Sequence, residues 1–132
     1  TQCGGFDPSL PCCEDYDFWL RVSCRHEFLL LPEPLIIKEG GRDDQLSCKY
    51  RVGMDQYRIY ALEKLLKTVS LSKEQKTLTI EELTKKCKVY GNGCIKHGQP
   101  EKGEYYLAIP EKYKQMKCKK TLSIIGLTHH IT

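Results

Sequence analysis

The chain has 132 residues, 40% hydrophobic and 29% charged, which suits one packed core and argues against wholesale disorder. No apolar run reaches the roughly 18 residues that a membrane-spanning helix needs, and no basic-then-apolar leader opens the chain. The net charge of +4 is uneven, with 8 basic and 11 acidic side chains in residues 1–66 against 13 basic, all Lys, and 6 acidic in residues 67–132.

The Lys-rich half reads as a solvated helical face, with weak attraction to an anionic membrane surface as the sharper alternative. It lacks the aromatic interleaving of single-stranded nucleic-acid binding, so nucleic acid is not an expected partner.

Residues 3–12 are turns, marked by Gly4-Gly5, Asp7-Pro8 and Leu10-Pro11. A helix is predicted from Glu14 to about Cys24, with Tyr16, Trp19 and Leu20 at three- and four-residue spacing. Residues 27–31 and 34–38 read as two short strands around Pro32-Glu33-Pro34. Their unbroken apolar character predicts burial on both faces, and neighbours for them are not found in this chain. Residues 40–47, "GGRDDQLS", read as a mobile polar loop.

The second half reads as helical. Residues 54–67 place Met54, Tyr57, Ala61, Leu62, Leu65 and Leu66 on one face. Thr79-x-x-Glu82 matches a capping box. Ile80, Leu83, Cys87, Tyr90, Cys94 and His97 then form a narrow seam suited to packing on another helix, with Gly91 and Gly93 as a candidate break. Pro100 suits a first helical turn, and a last helix over about 101–118 is expected to bury Tyr106, Ile109, Tyr113 and Met116 and to kink or split at Pro110. The expected architecture is α+β: a helix with two short strands over 1–52, a helical appendage over 53–120 that includes a hairpin at 73–118, and a tail over 121–132 that holds His129-His130. A chain opening on Thr, with strands that lack neighbours, is expected to continue upstream.

Eight cysteines in so short a chain could be a disulfide framework, a metal site or thiols. No C-x-x-C pair exists, and Cys24-x-His26 is a poor zinc spacing. Long helical periodicity favours reduced thiols and a cytoplasmic setting over a secreted scaffold.

Glu14, Asp15 and Asp17 at the mouth of the first helix have two explanations. Acidic residues there complement the helix dipole, and Asp15 or Asp17 can serve as N-cap. One of them can instead be a general base held rigidly at a helix start.

The segment "GGFDPSLPCCEDYDFWLRV" followed by "EFLLLPEPLIIKEGGRDDQLS" resembles the C-terminal third of the catalytic domain of family-2 glycosyltransferases. There, a "GGFDE-L" turn precedes an "ED-DLWLR" helix, a strand pair ending in "EPL", and a polar loop with a Ser near its end. "GMDQYRIYALEKLL" is similar to the continuation in a bacterial subset, so the likeness covers about residues 3–66.

The resemblance implies the C-terminal portion of an α/β sheet of nucleotide-diphospho-sugar transferase fold, and an inverting transfer from a nucleotide-sugar donor to an acceptor hydroxyl, as in cytoplasmic assembly of bacterial cell-envelope polysaccharide. Asp15 matches the general base and Glu14 flanks the acceptor. Asp17, Arg21, Arg42 and Ser47 match substrate-side positions, although an Asp17–Arg21 pair at i,i+4 is the favoured reading for Arg21. The family's Asp-x-Asp, which holds Mg or Mn against the donor diphosphate, is expected upstream; neither Asp15-Tyr16-Asp17 nor Asp43-Asp44 is assigned to it. This chain alone is therefore expected to be inactive. The competing expectation is a non-catalytic helical module that docks a protein partner or an anionic surface through its Lys-rich half.

Overall fold

The computed structural model describes residues 2–38 and 42–126, with side chains as far as residue 114. Among the described residues five helices run in order: α1 (Glu14–Ser23), α2 (Leu46–Lys49), α3 (Met54–Thr68), α4 (Lys73–Lys96) and α5 (Pro100–Gly126). The chain divides into two compact units, Thr1–Lys76 and Thr77–Thr132. No strand occurs among the described residues, so the α+β expectation is corrected to an all-α architecture.

The first unit is built on α1 against α3. Helix α3 follows Gly53, whose φ of 100° no β-carbon tolerates easily. It runs without interior Gly or Pro and buries Ile59, Ala61, Leu62 and Leu65. Those positions recur at three and four, the spacing of one helical face. Ile59 joins the core although the expected face omitted it, whereas Met54, Tyr57 and Leu66 are only half-buried.

Residues 27–38 correct the strand expectation most sharply. They form no regular secondary structure, and Leu29, Leu30, Leu31, Leu35, Ile36 and Ile37 are all exposed, Leu29 and Ile37 to 94%. A strand is stable only where a neighbour completes its ladder, and Pro32 and Pro34 remove two donors from this one. An apolar run records what the side chains prefer, not whether a neighbour is available.

Helix α2 occupies part of the expected polar loop. Helix α4 starts one and a half turns ahead of its expected cap. Ser72 Oγ accepts the Gln75 amide N–H (3.1 Å) while Gln75 Oε1 accepts the Ser72 N–H (3.0 Å), a reciprocal capping box at Ser72-x-x-Gln75 rather than at Thr79.

In the second unit, α4 and α5 form a helical hairpin. Helix α4 ends on Gly98 in the left-handed region (φ 77°), and the Gln99 N–H reaches back to the Cys94 carbonyl (2.9 Å), a Schellman-type closure. Pro100 then opens α5. The seam is buried at Ile80, Leu83, Cys87 and Cys94, and His97 stands at its wet end.

Gly91 and Gly93 do not break α4. Gly91 is instead where the two helices meet: a β-carbon there would lie 2.8 Å from the Gly103 carbonyl oxygen, and one on Gly103 would lie 2.6 Å from that of Gly91. Tyr90 and Tyr106 meet edge to face at 4.7 Å beside this crossing, and Ile109 and Tyr113 are buried further along α5. Helix α5 is longer than expected and runs through Pro110 without being split. The Met116 side chain and His129-His130 lie outside the described residues.

Candidate functional site

Cys13 is the hinge on which the site is built. It is the one non-glycine with positive φ (63°) among the described residues, and it immediately precedes α1. Strain of this kind, about 1–3 kcal/mol, persists only where surrounding structure imposes it. Cys12 and Cys13 are buried, and the Cys13 thiol points to the Met54 carbonyl of α3 (3.9 Å). Burial first, then the neighbouring Cys12, pushes that thiol's pKa up to about 12. Cys13 is an unreactive packing group by this criterion. None of the seven described cysteines forms a disulfide.

A groove of about 490 Å³ opens over this junction. Helix α1 contributes Glu14, Asp15, Tyr16 and Trp19; Lys38 ends the 27–38 segment beside it. Leu46 and Ser47 come from α2, Met54 and Arg58 from α3. Asp15 is exposed and Glu14 half-buried. Asp15 Oδ1 accepts the Tyr16 N–H (2.7 Å), and its Oδ2 takes no hydrogen bond among the described residues. The carboxylate is thus anchored through one oxygen and open through the other. Arg58 is tied to Asp55 (2.9 Å), which keeps its pKa above the usual arginine range, and it reaches the Tyr16 ring at 6.0 Å.

Asp17 does something else. It is 1% exposed, and Arg21 (2.9 Å) and Lys64 (3.0 Å) both pair with it. Lys64 also binds Asp7 (2.7 Å), whose carboxylate organises its own turn by accepting the Ser9 N–H and hydroxyl. Arg21 donates to the carbonyls of Cys3 and Gly5. One buried carboxylate therefore ties together α1, α3 and the N-terminal turns.

The hydrogen bond from Lys64 first, then those from Ser9, hold Asp7 well below the usual carboxylate range. Burial opposes the charge on Lys64, but its bonds to Asp7 and Asp17 outweigh this and raise its pKa. The i,i+4 pair is thus the geometry found for Arg21, and neither it nor Asp17 lines the groove. Neither acid caps α1: the N-cap is Cys13, with no side-chain cap bond.

Of the remaining expected residues, Ser47 lines the groove and Arg42 does not; Arg42 is exposed, 3.5 Å from Asp44. Three of the six thus converge: Glu14, Asp15 and Ser47. No group of three His, Cys, Asp or Glu side chains that could hold a metal ion occurs among the described residues. No described helix is long and apolar enough to cross a membrane.

The helical spacing groups Trp19 with Tyr16 and Leu20, and no motif assigns Trp19, Arg58 or Lys38 to the site. Trp19 is 53% exposed and stands one helical turn from Asp15. The i,i+4 spacing alone places those two residues on one face; nothing local marks Arg58 or Lys38. Comparison with protein-family models, curated proteins and solved structures gave no match to this chain.

Proposed function

We propose that this chain carries the acceptor side of an inverting glycosyl transfer, with Asp15 as general base. One observation carries the reading: at the start of α1, Asp15 presents a carboxylate oxygen that takes no hydrogen bond among the described residues, in a groove that also holds Glu14 and Ser47. Its near neighbour Asp17 is engaged by Arg21 and Lys64, which leaves Asp15 as the exposed acid of the pair.

In this reading the acceptor hydroxyl gives its proton to Asp15 as its oxygen attacks the anomeric carbon. The nucleoside diphosphate leaves from the opposite face, inverting the configuration. Glu14 and Ser47 are placed to accept and donate hydrogen bonds to neighbouring acceptor hydroxyls. The donor nucleotide sugar, and the Mg or Mn that assists its departure, are assigned no residue of this chain. A bacterial, cytoplasmic setting at the inner face of a membrane, and a role in cell-envelope polysaccharide assembly, belong to the same reading.

The test is transfer by the full-length gene product from a panel of UDP-, GDP- and dTDP-sugars. The expected product has the anomeric configuration opposite to the donor's. A retained configuration, or no donor-dependent transfer, contradicts the proposal.

A further inference from the structure

We infer that Trp19 is a stacking platform for a saccharide ring, so that the acceptor is itself a carbohydrate rather than a lipid alcohol or a protein hydroxyl. The inference rests on the acceptor-side reading of the groove, and it names the acceptor's class.

Trp19 is the sole tryptophan of the chain. It leaves 53% of its surface open, within the groove. It is held there. Phe18 lies 5.1 Å away at 69° and Phe28 5.7 Å away at 71°, steep edge contacts that support the indole.

Its placement relative to the acids matters most. Asp15 and Trp19 are four residues apart on α1, so about 5–6 Å separates their β-carbons on one face. That is close to the width of one pyranose ring. A sugar has an apolar face of C–H groups and a rim of hydroxyls. An exposed indole takes the face, while Asp15, Glu14 and Ser47 meet the rim. A lipid chain would gain from the indole and lose by the two carboxylates. Ligand sites combine an aromatic wall with a few placed polar groups in this way.

The experiment is a titration of this chain's intrinsic fluorescence with cellotriose, chitotriose and maltotriose to tens of millimolar, with glycerol as control. A saturable quench or blue shift is expected with at least one trisaccharide, in both the wild type and Asp15→Asn, and none with glycerol. Trp19→Ala, followed by saturation-transfer NMR, is expected to weaken that saccharide at least tenfold while circular dichroism is unchanged. If no trisaccharide alters the emission, or Trp19→Ala binds as the wild type does, the inference is overturned. The two claims fail separately. Saccharide binding through Trp19 without any effect of Asp15 on transfer removes the base and keeps the platform. An Asp15-dependent transfer whose acceptor KM ignores Trp19→Ala does the reverse.

Discussion

Asp15 and Asp17, two positions apart on α1, have opposite environments: Asp15 is exposed in a groove, whereas Asp17 is buried between Arg21 and Lys64. A helix turns roughly 100° per residue, so residues two apart cannot share a face. The letters Asp-x-Asp therefore describe two unrelated sites here.

Stability measurements separate them. Asp17→Asn leaves Arg21 and Lys64 without their buried partner and is expected to cost about 3–5 kcal/mol, as breaking one side of a buried pair does. Asp15→Asn touches no buried partner and is expected to change stability by under about 0.5 kcal/mol. Urea denaturation of both variants checks this; equal losses would show that the acids share one structural role.

The network also sets a pH profile. Asp7 has a folded-state pKa below its unfolded value, so its contribution is complete above about pH 4 and is lost as pH falls toward the folded value. Lys64 has a raised pKa, so its contribution is present below about pH 10.4 and is lost as pH rises past that. The contribution of this network is expected to be flat between these limits and to fall on both sides. Asp7→Asn should flatten the acid limb selectively; an unchanged acid limb would remove Asp7 from the network's energetics.

The exposed apolar segment makes the opposite kind of prediction. Leu29→Ser or Ile37→Ser removes almost no buried surface and should cost under about 0.5 kcal/mol. Leu62→Ala, in the packed face of α3, should cost about 2–5 kcal/mol. Chemical denaturation compares them, and a large loss at Ile37 would mean that the segment is covered in solution.

Glycines of α4 and α5 divide in the same manner. A β-carbon at Gly103 would meet Ile95 Cγ1 at 2.5 Å and the Gly91 carbonyl oxygen at 2.6 Å, so Gly103→Ala should destabilise by about 1–3 kcal/mol. Gly93 has nothing within 4 Å of that position, and Gly93→Ala should stabilise by about 0.5–1 kcal/mol. Thermal unfolding of the two variants should move in opposite directions. Equal shifts would mean that α4 and α5 do not approach closely here.

What could be read from the residues follows from the range of the interactions involved. Helix α1, the Ala61, Leu62 and Leu65 part of the α3 face and most of the α4 seam were legible because local periodicity encodes them. So was the Asp17–Arg21 pair, which needs only i,i+4 spacing. The capping box at Ser72 was present in the letters but overlooked beside Thr79. Lys64 and Arg58 were not legible, because α3 brings them to α1 across more than 40 residues. The strands failed for a related reason: pairing depends on a neighbour that no local pattern reports.

The most direct measurement is the turnover number of Asp15→Asn at saturating acceptor, in the full-length gene product, with its unfolding temperature confirmed unchanged. Loss of a general base predicts a kcat lower by about 10²–10⁴ while saccharide binding persists. A kcat equal to the wild type's in a correctly folded variant would confine Asp15 to the electrostatics of its helix.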